Sequence, residues 1–476
     1  MKKIFLILVT FGLFLAGCED KLDMNPHQSL SEAQTFSKAQ DFENAVRGVY
    51  TEMLDAGAKG EFRVIFPDVA SDNLIQCRDG RLTLSDVQDW NLSSDHYYPG
   101  NFWAAQYDAI NIANKVIANA KEFEAVDEAG RQLIENAVGE AYALKAILHF
   151  DLVRIFGESY EKATDQSPGI PYMEEARIGF PERETVRSNY DNIVADLKTA
   201  IDKLTLENGR TRINKSTAQA YLAKVYFFMG DYDNAITYAN KALPNYGLNT
   251  IDAFPSIWTD ETDKGVIFKL AITEQDGVEW ANGFSQTSPD GTKSEYVCDY
   301  ELYQMYDAND VRLNTYITTS EFNGTNYNHI KKFMGRPGAN ATPNLVDIKA
   351  LRTAELLLTR AESYYMTSQE GKALDDLNAL RSHRYTGFTP GTETGQALID
   401  EIRKQRRLEL AFEGDRWFDL KRRNVDITRA SYGDHADGTG DVYRVLTLDK
   451  DDPQWLYPIP DYEMNANPKM KQNEGY

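Results

Sequence analysis

The chain has 476 residues, 26% of them charged, which is long enough for about three ordinary domains or for one continuous repeat array. Its formal net charge of −22 argues against a nucleic-acid partner, because such partners require a basic face. The 27 tyrosines supply amphipathic rings that suit ligand contact and helix packing equally.

The first segment is predicted to be a lipoprotein signal peptide. A basic start at 1–3 precedes an apolar run at 4–16 that is too short to span a bilayer as a helix. The sequence LAGC at 15–18 resembles the lipobox of bacterial lipoproteins, in which the cysteine thiol takes a diacylglycerol. We therefore expect residues 1–17 to be removed and Cys18 to be lipidated. A plain secretory signal with an incidental cysteine is the alternative.

Two cysteines remain after lipidation, Cys77 and Cys298. An oxidising compartment would permit a disulfide between them, but the sequence leaves their pairing open. The chain has no CxxC and no His/Cys cluster at zinc spacing, so we expect no metal and no cofactor.

A helix pair is predicted at 103–121 and 135–157. In the second segment apolar residues recur at alternating spacings of three and four, as a buried helix face requires. His149 lies beside this face, and we expect a packed or capping histidine there rather than a ligand.

Two further segments, 217–243 and 354–381, resemble tetratricopeptide repeats, with small residues where two helices approach closely. The two copies agree in register, which predicts two helix–turn–helix units. The matching positions are Ala223, Tyr226, Ala235 and Ala242 in the first copy and Ala361, Tyr364, Ala373 and Leu380 in the second.

Two stretches between the predicted helices behave differently, one at about 63–100 and one at about 255–345. Both are rich in turn-forming residues and aromatic rings, and the second contains short β-like pieces such as 265–272. Loops of this length are usually functional or disordered, and the aromatic content favours function.

No catalytic motif is present, although a glycosidase carboxylate pair can be neither singled out nor excluded among 73 acidic residues. The acidic run at 435–441 lacks the spacing of an EF-hand loop, so solvated loop acids are a better interpretation than a calcium site. We therefore do not expect an enzyme.

The stretch RRLELAFEGDRWFDLKRR at 406–423 is predicted to form two packed helices rather than an active site. Gly414 is expected to end the first helix, and Asp415 to cap a second helix that buries Trp417. Four charged residues are expected to pair within the stretch, Glu409 and Glu413 with Arg406 and Arg416.

The same stretch resembles the C-terminal signature of the SusD/RagB family of surface nutrient-binding lipoproteins. Other pieces agree in family order: the lipobox at Cys18, 139–157, 300–312, 348–362 and 456–476. The resemblance implies a mainly α, SusD-like fold, in which a tetratricopeptide-like helical-repeat scaffold carries irregular loop and short β-strand insertions. The expected organisation is an N-terminal helical region at 18–254, a loop-rich insertion at 255–345 and a C-terminal region at 346–476.

The resemblance also implies a function and a location. We expect a lipid-anchored outer-membrane protein, exposed at the cell surface, that binds a glycan and delivers it to a SusC-like TonB-dependent transporter. A peptide ligand of the RagB type is the nearest alternative. A repeat scaffold that docks other envelope proteins is a second alternative, because helix pairs of this kind usually bind proteins.

The family motifs identify no ligand residues, so the candidates follow from chemistry alone. A sugar ring has an apolar CH face and a rim of hydroxyls, which favours aromatic platforms beside planar polar groups. Arg312 lies in a family motif and is expected to be structural. The predicted ligand residues are Asp72, Asn73, Arg81, Trp90, Tyr97 and Tyr98 in the first loop stretch, and Trp280 and Tyr296 in the second.

Overall fold

The computed structural model describes residues 35–54, 61–288, 290–336 and 344–476. The predicted signal peptide and Cys18 lie outside the described residues. Within them the chain forms fifteen α-helices and ten short strands, so the prediction of a mainly α fold with short β insertions is confirmed.

The fifteen α-helices are numbered in chain order. Their bounds are α1 Ala39–Met53, α2 Phe66–Val69, α3 Ser85–Gln88, α4 Tyr97–Glu122, α5 Glu128–Phe156, α6 Val186–Lys203, α7 Lys215–Phe228, α8 Tyr232–Ala242, α9 Tyr300–Gln304, α10 Val311–Tyr316, α11 Thr353–Met366, α12 Glu370–Ser382, α13 Gly395–Leu410, α14 Arg416–Arg422 and α15 Asp461–Ala466.

Most of the long helices stack side by side in chain order. The α5 helix packs on α4 and α6, α7 packs on α6 and α8, and α8 packs on α11, which in turn packs on α12 and α13. Polar side chains begin four of these helices by accepting a hydrogen bond from a backbone N–H of the first turn, which satisfies a donor that the helix leaves unpaired. These residues are Asp127, Thr185, Asn214 and Asp231.

Both tetratricopeptide-like units are confirmed as helix pairs, α7 with α8 and α11 with α12. The matched residues of both units are buried, as close helix approach requires. The turns also correspond, because Gly230 and Ser368 occupy equivalent positions and both take a left-handed φ, of +74° and +59°. The register agreement in the sequence therefore reflects repeated geometry.

The helix pair predicted at 103–121 and 135–157 is confirmed as α4 and α5. His149 on α5 is packed rather than free to bind a ligand. Its ring stacks on Tyr172 at 3.9 Å, and its Nε2 accepts a hydrogen bond from the backbone N–H of Met173. Burial lowers the pKa of His149 to about 3, so the ring is neutral.

The strands form four small antiparallel sheets. A four-stranded sheet has the order β1-β5-β7-β6, and three two-stranded sheets pair β2 with β8, β3 with β4, and β9 with β10. The bounds are β1 Leu74–Gln76, β2 Val266–Leu270, β3 Ser285–Ser288, β4 Gly291–Ser294, β5 Tyr296–Cys298, β6 Ile317–Phe322, β7 Thr325–Ile330, β8 Ile348–Arg352, β9 Ile427–Thr428 and β10 Thr447–Leu448.

One large buried cluster runs through most of the fold, from Phe42 to Met470. It contains side chains from all three regions expected in the mature chain, 18–254, 255–345 and 346–476. Those boundaries stay a prediction. A smaller cluster, between α11, α12 and α13, includes Ala361 and Leu377.

The signature stretch at 406–423 forms α13 and α14 and buries Trp417, as predicted, but its details differ. The α13 helix ends at Leu410, before Gly414. Gly414 takes a φ of +75°, and a Cβ there would lie 2.5 Å from the carbonyl oxygen of Arg63. Asp415 does not cap α14, because its carboxylate binds the guanidinium of Arg406 at 2.7 Å.

The charge pairing predicted within this stretch is wrong for Glu409, Glu413 and Arg416. These side chains instead bind partners from distant segments of the chain, and Glu409 and Glu413 share Arg352. Glu409 binds Arg312, Arg352 and Arg384, Glu413 binds Lys332 and Arg352, and Arg416 binds Asp72. Arg312 is fully buried, so its predicted structural role is confirmed.

Cys77 and Cys298 are buried free thiols. Cys298 lies opposite Leu74, whereas the backbone N–H of Cys77 donates to Glu295. The cysteines are therefore three residues apart along neighbouring strands, about 10 Å, which is too far for a disulfide.

We expect the chain carrying Cys18→Ser to release two reactive thiols when it is denatured without reductant. In the native protein both should react slowly, because burial raises the pKa of each thiol. Thiol titration with mass spectrometry measures both quantities. An unreduced chain without free thiols after denaturation would show that the cysteines pair.

Candidate functional site

A group of exposed loops converges at one edge of the four-stranded sheet. They are the segment 78–91 after β1, the start of α9, and the segment 430–446 between β9 and β10. We call the surface formed by these three segments the loop surface.

Three tyrosines form the centre of the loop surface. Tyr300 and Tyr303 lie on α9 with parallel rings whose centroids are 6.2 Å apart. Tyr432 packs edge-on against Tyr300, at 5.1 Å, and 37% of its surface is exposed. Tyr300 and Tyr303 are half-buried. We call these residues the tyrosine cluster.

A buried carboxylate holds α9 in place. Asp299 accepts hydrogen bonds from the backbone N–H groups of Glu301 and Leu302, and from the hydroxyl of Tyr443 at 2.9 Å. Burial raises the pKa of Asp299 to about 6, although the guanidinium of Arg407 opposes this shift. Because these bonds fix the first turn of α9, they also fix the positions of Tyr300 and Tyr303.

The segment 430–446 folds back on itself against the tyrosines. Asp434 is buried at its base and accepts hydrogen bonds from the backbone N–H groups of Asp441 and Arg78. Gly438 lies directly against the ring of Tyr300, where an added Cβ would be 2.5 Å from the ring. Its φ of +80° also favours glycine. The segment can therefore approach Tyr300 only because position 438 has no side chain.

Apolar and charged side chains are interspersed around the cluster. Leu82 and Val442 are more than half exposed. Arg81 binds the buried Glu295 at 2.7 Å and keeps 58% of its side chain exposed. Arg444 binds Asp89 at 2.8 Å. Flat rings, aliphatic groups and planar polar groups on one surface suit a ligand that has both CH faces and hydroxyls.

The backbone of the segment 78–91 is strained. Leu82, Leu84 and Trp90 all take left-handed φ values, between +52° and +58°. Such conformations are costly for residues other than glycine, asparagine and aspartate, and they concentrate at functional sites. The backbone strain is therefore a second feature of the loop surface, besides its aromatic rings, that is typical of a functional site.

Three of the sequence-predicted residues lie beneath the loop surface rather than on it. Asp72 is buried and binds Arg416 at 2.7 Å, and Asn73 accepts a hydrogen bond from Arg407. Trp90 is 7% exposed, and its Nε1 donates to the carbonyl of Ala70. In this conformation these side chains offer no free surface to a ligand.

Arg429 connects Trp90 to Tyr443, which binds Asp299 beneath the tyrosine cluster. Its guanidinium lies between the rings of Trp90, at 3.9 Å, and Tyr443, at 4.7 Å. It donates hydrogen bonds to the backbone carbonyls of Ser71 and Gln88, among others. Since Tyr443 holds Asp299 at the start of α9, Trp90 supports the site from below.

The other predicted residues are dispersed. Tyr296 is buried on β5, and Trp280 is buried with its Nε1 donating to the carbonyl of Val346. Tyr98 is buried against Phe66. Arg81 and Tyr97 are exposed, Arg81 on the loop surface and Tyr97 at the start of α4. The structure thus leaves these two as the predicted residues that face solvent.

Sequence reasoning missed the tyrosine cluster. Tyr300 and Tyr303 lie in the second loop stretch and in the family motif at 300–312, but neither is among the predicted ligand residues, and Tyr432 lies outside both loop stretches. The signal available was the density of glycine and aspartate around Tyr432, which marks an exposed turn.

Two features bear on other kinds of site. Among the described residues, no group of three His, Cys, Asp or Glu side chains is arranged to hold a metal ion.

A cleft of about 700 Å³ lies between the ends of α4, α5 and α6, with Phe123, Ile134 and Tyr142 in its lining. It contains none of the predicted ligand residues and is separate from the tyrosine cluster.

Comparisons with known proteins agree with the fold. Residues 20–227 match the family model described as "Starch-binding associating with outer membrane", and residues 297–476 match the SusD family model. The chain is 26% identical to a SusD-like protein of Formosa agariphila, over the whole of both chains. It is 36% identical to the starch-binding protein SusD of Bacteroides thetaiotaomicron over 142 residues, which are 30% of this chain and 24% of that one.

A crystal structure of a SusD superfamily protein from Bacteroides thetaiotaomicron has the same fold. The TM-score is 0.82 at 22% identity, and the superposition covers 92% of this chain and 99% of that one. Fold and loop surface together define a mainly α, tetratricopeptide-like protein whose helices support irregular loops. Both ends of the described chain match SusD models, and the chain belongs to the SusD family, as its signature predicted.

Proposed function

We propose that this protein binds a glycan at the tyrosine cluster and delivers it to a SusC-like TonB-dependent transporter of the outer membrane. The observation that carries the proposal is the tyrosine cluster, in which exposed Tyr432 packs beside half-buried Tyr300 and Tyr303 on a buried, hydrogen-bonded support. The starch-binding description of the family model and the starch-binding relative support a carbohydrate ligand. Non-catalytic capture is consistent with binding proteins of this family.

The chemistry of the surface suits sugars. Aromatic rings can contact the CH face of a pyranose, and the planar groups of Arg78, Arg81 and Asp441 can pair with hydroxyls. Arg78 and Asp441 are exposed and lie 3.9 Å apart, so a ligand can replace this weak contact at little cost. A few such platforms give millimolar to micromolar affinity, about −4 to −8 kcal/mol, which suits capture followed by release.

The proposed membrane anchor is the lipid on Cys18. Lipidation of Cys18 would hold the protein at the outer membrane, since each buried CH₂ of an acyl chain contributes about 0.8 kcal/mol. No helix among the described residues is long and apolar enough to cross a membrane. Replacing Cys18 by serine should release the protein from membranes into the soluble fraction, which cell fractionation measures.

We expect Tyr432→Ala to weaken glycan binding by about tenfold, or about 1.4 kcal/mol, while the melting temperature stays at the wild-type value. The ring is exposed, so its loss removes ligand contact rather than core packing. Calorimetry with the polysaccharide that a glycan array retains is the measurement.

Phe180→Ala is the matched control, because Phe180 is an exposed aromatic side chain in the connection between α5 and α6. It should bind glycan like the wild-type protein. Equal affinity of wild type and Tyr432→Ala would remove the tyrosine cluster from the site. Retention of peptides but of no glycan on parallel arrays would favour the peptide alternative.

A further inference from the structure

Apart from the tyrosine cluster, a pair of exposed tyrosines lies where α4 and α15 meet. Tyr97, in the first turn of α4, is 58% exposed, and Tyr462 on α15 is 46% exposed. The hydroxyl of Tyr462 donates to the carbonyl of Gly100 at 2.9 Å. Gly100 follows Tyr97 by three residues, so both lie on neighbouring positions of one helix face. The two exposed rings therefore flank the first turn of α4.

Both rings are held in place by neighbouring groups. The ring of Tyr97 stacks on that of His96, with centroids 5.2 Å apart, and lies tilted against that of Tyr98, at 4.0 Å. His96 is itself fixed by the carboxylate of Asp86 at 2.7 Å. Tyr462 lies on Gly100, where an added Cβ would be 3.3 Å from its ring. Held rings bind a ligand with less loss of conformational entropy than mobile ones.

Polar side chains border this pair. Asn101, which follows Gly100 on α4, is exposed, and Asp95 is exposed just before α4 begins. An exposed amide and an exposed carboxylate close in the chain to Tyr97 supply the same types of group as the loop surface, flat rings and planar polar groups. We call Tyr97 and Tyr462 the second platform.

The segment 78–91 borders both aromatic surfaces. At one end Asp86 binds His96, next to Tyr97. Three residues further, Asp89 binds Arg444, which belongs to the same segment as Tyr432. Asp86 lies on the four-residue α3 helix, and Asp89 directly follows it. The α3 helix and the residue after it therefore link the second platform to the loop surface.

We propose that Tyr97 and Tyr462 form a second subsite for the same glycan chain that contacts the tyrosine cluster, so the ligand is an extended polysaccharide rather than a mono- or disaccharide. This inference rests on the proposed function. Once a chain is held at the tyrosine cluster, its next segment meets the second platform at high effective concentration, which raises affinity for long chains only.

The test compares chain lengths. A panel of soluble polysaccharides, including starch, and their fragments of a few sugars is titrated against wild type, Tyr432→Ala, and the variant carrying both Tyr97→Ala and Tyr462→Ala. The double variant should bind the intact polysaccharide about tenfold more weakly and the short fragments like the wild-type protein. Tyr432→Ala should lose affinity for both. Tyr97→Ala alone, which leaves the Tyr462 hydrogen bond intact, guards against misfolding of the double variant and should show an intermediate loss.

Three outcomes separate the proposals. If the double variant and Tyr97→Ala bind intact polysaccharide like the wild-type protein, the second subsite is wrong and the proposed function stands. An equal loss for short and long chains would also overturn it, since both surfaces would then act as one short site. If the wild-type protein binds none of these glycans, the proposed function and the second subsite fail together.

Discussion

Replacing Glu409 by alanine is expected to destabilise the protein by at least about 3–5 kcal/mol, because it leaves buried cations without their counter-charge. Glu409 is fully buried, and its carboxylate binds Arg352 and Arg384 at 2.8 Å and Arg312 at 3.4 Å. Arg352 and Arg312 have other carboxylate partners, Glu413 and Asp310. For Arg384, no second carboxylate lies within ion-pair distance among the described residues. Chemical denaturation at neutral pH measures the loss.

Two comparisons test the physical reason for this loss. Glu128→Gln removes a carboxylate from an exposed ion pair with Arg131 on α5 and should leave the unfolding midpoint unchanged. Combining Glu409→Gln with Arg384→Met should cost less than the sum of the single changes, since the unpaired cation is removed as well. A Glu409→Ala midpoint equal to that of the wild-type protein would contradict a stabilising role for this network.

The pH dependence has a defined sign. Burial alone would raise the pKa of the Glu409 carboxyl, but the guanidinium groups of Arg384 and Arg352 hold it well below its usual range. A carboxyl with a lowered folded-state pKa stabilises the fold above its unfolded pKa, and that contribution is lost as the pH falls through the folded value. Below about pH 4 the stability of the wild-type protein should therefore fall more steeply than that of Glu409→Gln.

The network explains how the charged residues of the signature stretch act in the fold. Glu409 on α13 binds arginines from α10, the end of β8 and the segment after α12. These elements are far apart in the chain, and this one carboxylate contacts all three of them. The acids and arginines of the stretch are therefore determinants of the fold.

The helical part of the fold was predictable from local pattern. The alanines at 223 and 361 and the turns at Gly230 and Ser368 repeat at matched positions because helix pairs impose the same spacing on each copy. The charge partners were not predictable in the same way. An arginine such as Arg416 can reach an acid on its own helix or on a distant segment, and only the tertiary arrangement brings Asp72 to it.

The candidate site was harder to predict because exposure depends on packing that the sequence does not show. Trp90 and Tyr432 both lie in polar, turn-rich stretches, yet Trp90 is 7% exposed and Tyr432 is 37% exposed. Arg429, which comes from a segment distant from Trp90 in the chain, contributes to this difference by packing on the ring of Trp90 at 3.9 Å. Part of the first loop stretch, the segment 78–91, nevertheless forms one side of the loop surface.

Trp417→Ala is expected to destabilise the protein by about 3–5 kcal/mol, because it removes a large buried ring and leaves a cavity that the surrounding side chains cannot fill. Trp417 is 1% exposed, and its ring packs on Trp455 at 4.4 Å and on Tyr457 at 6.1 Å. These partners belong to the C-terminal segment, so the cavity should also loosen that segment from α14. Thermal and chemical denaturation measure the loss, and near-ultraviolet circular dichroism should show the disappearance of the coupled tryptophan signal. Trp417→Phe, which keeps an aromatic ring, should lose less. A melting temperature equal to that of the wild-type protein would contradict the scaffold role of this tryptophan.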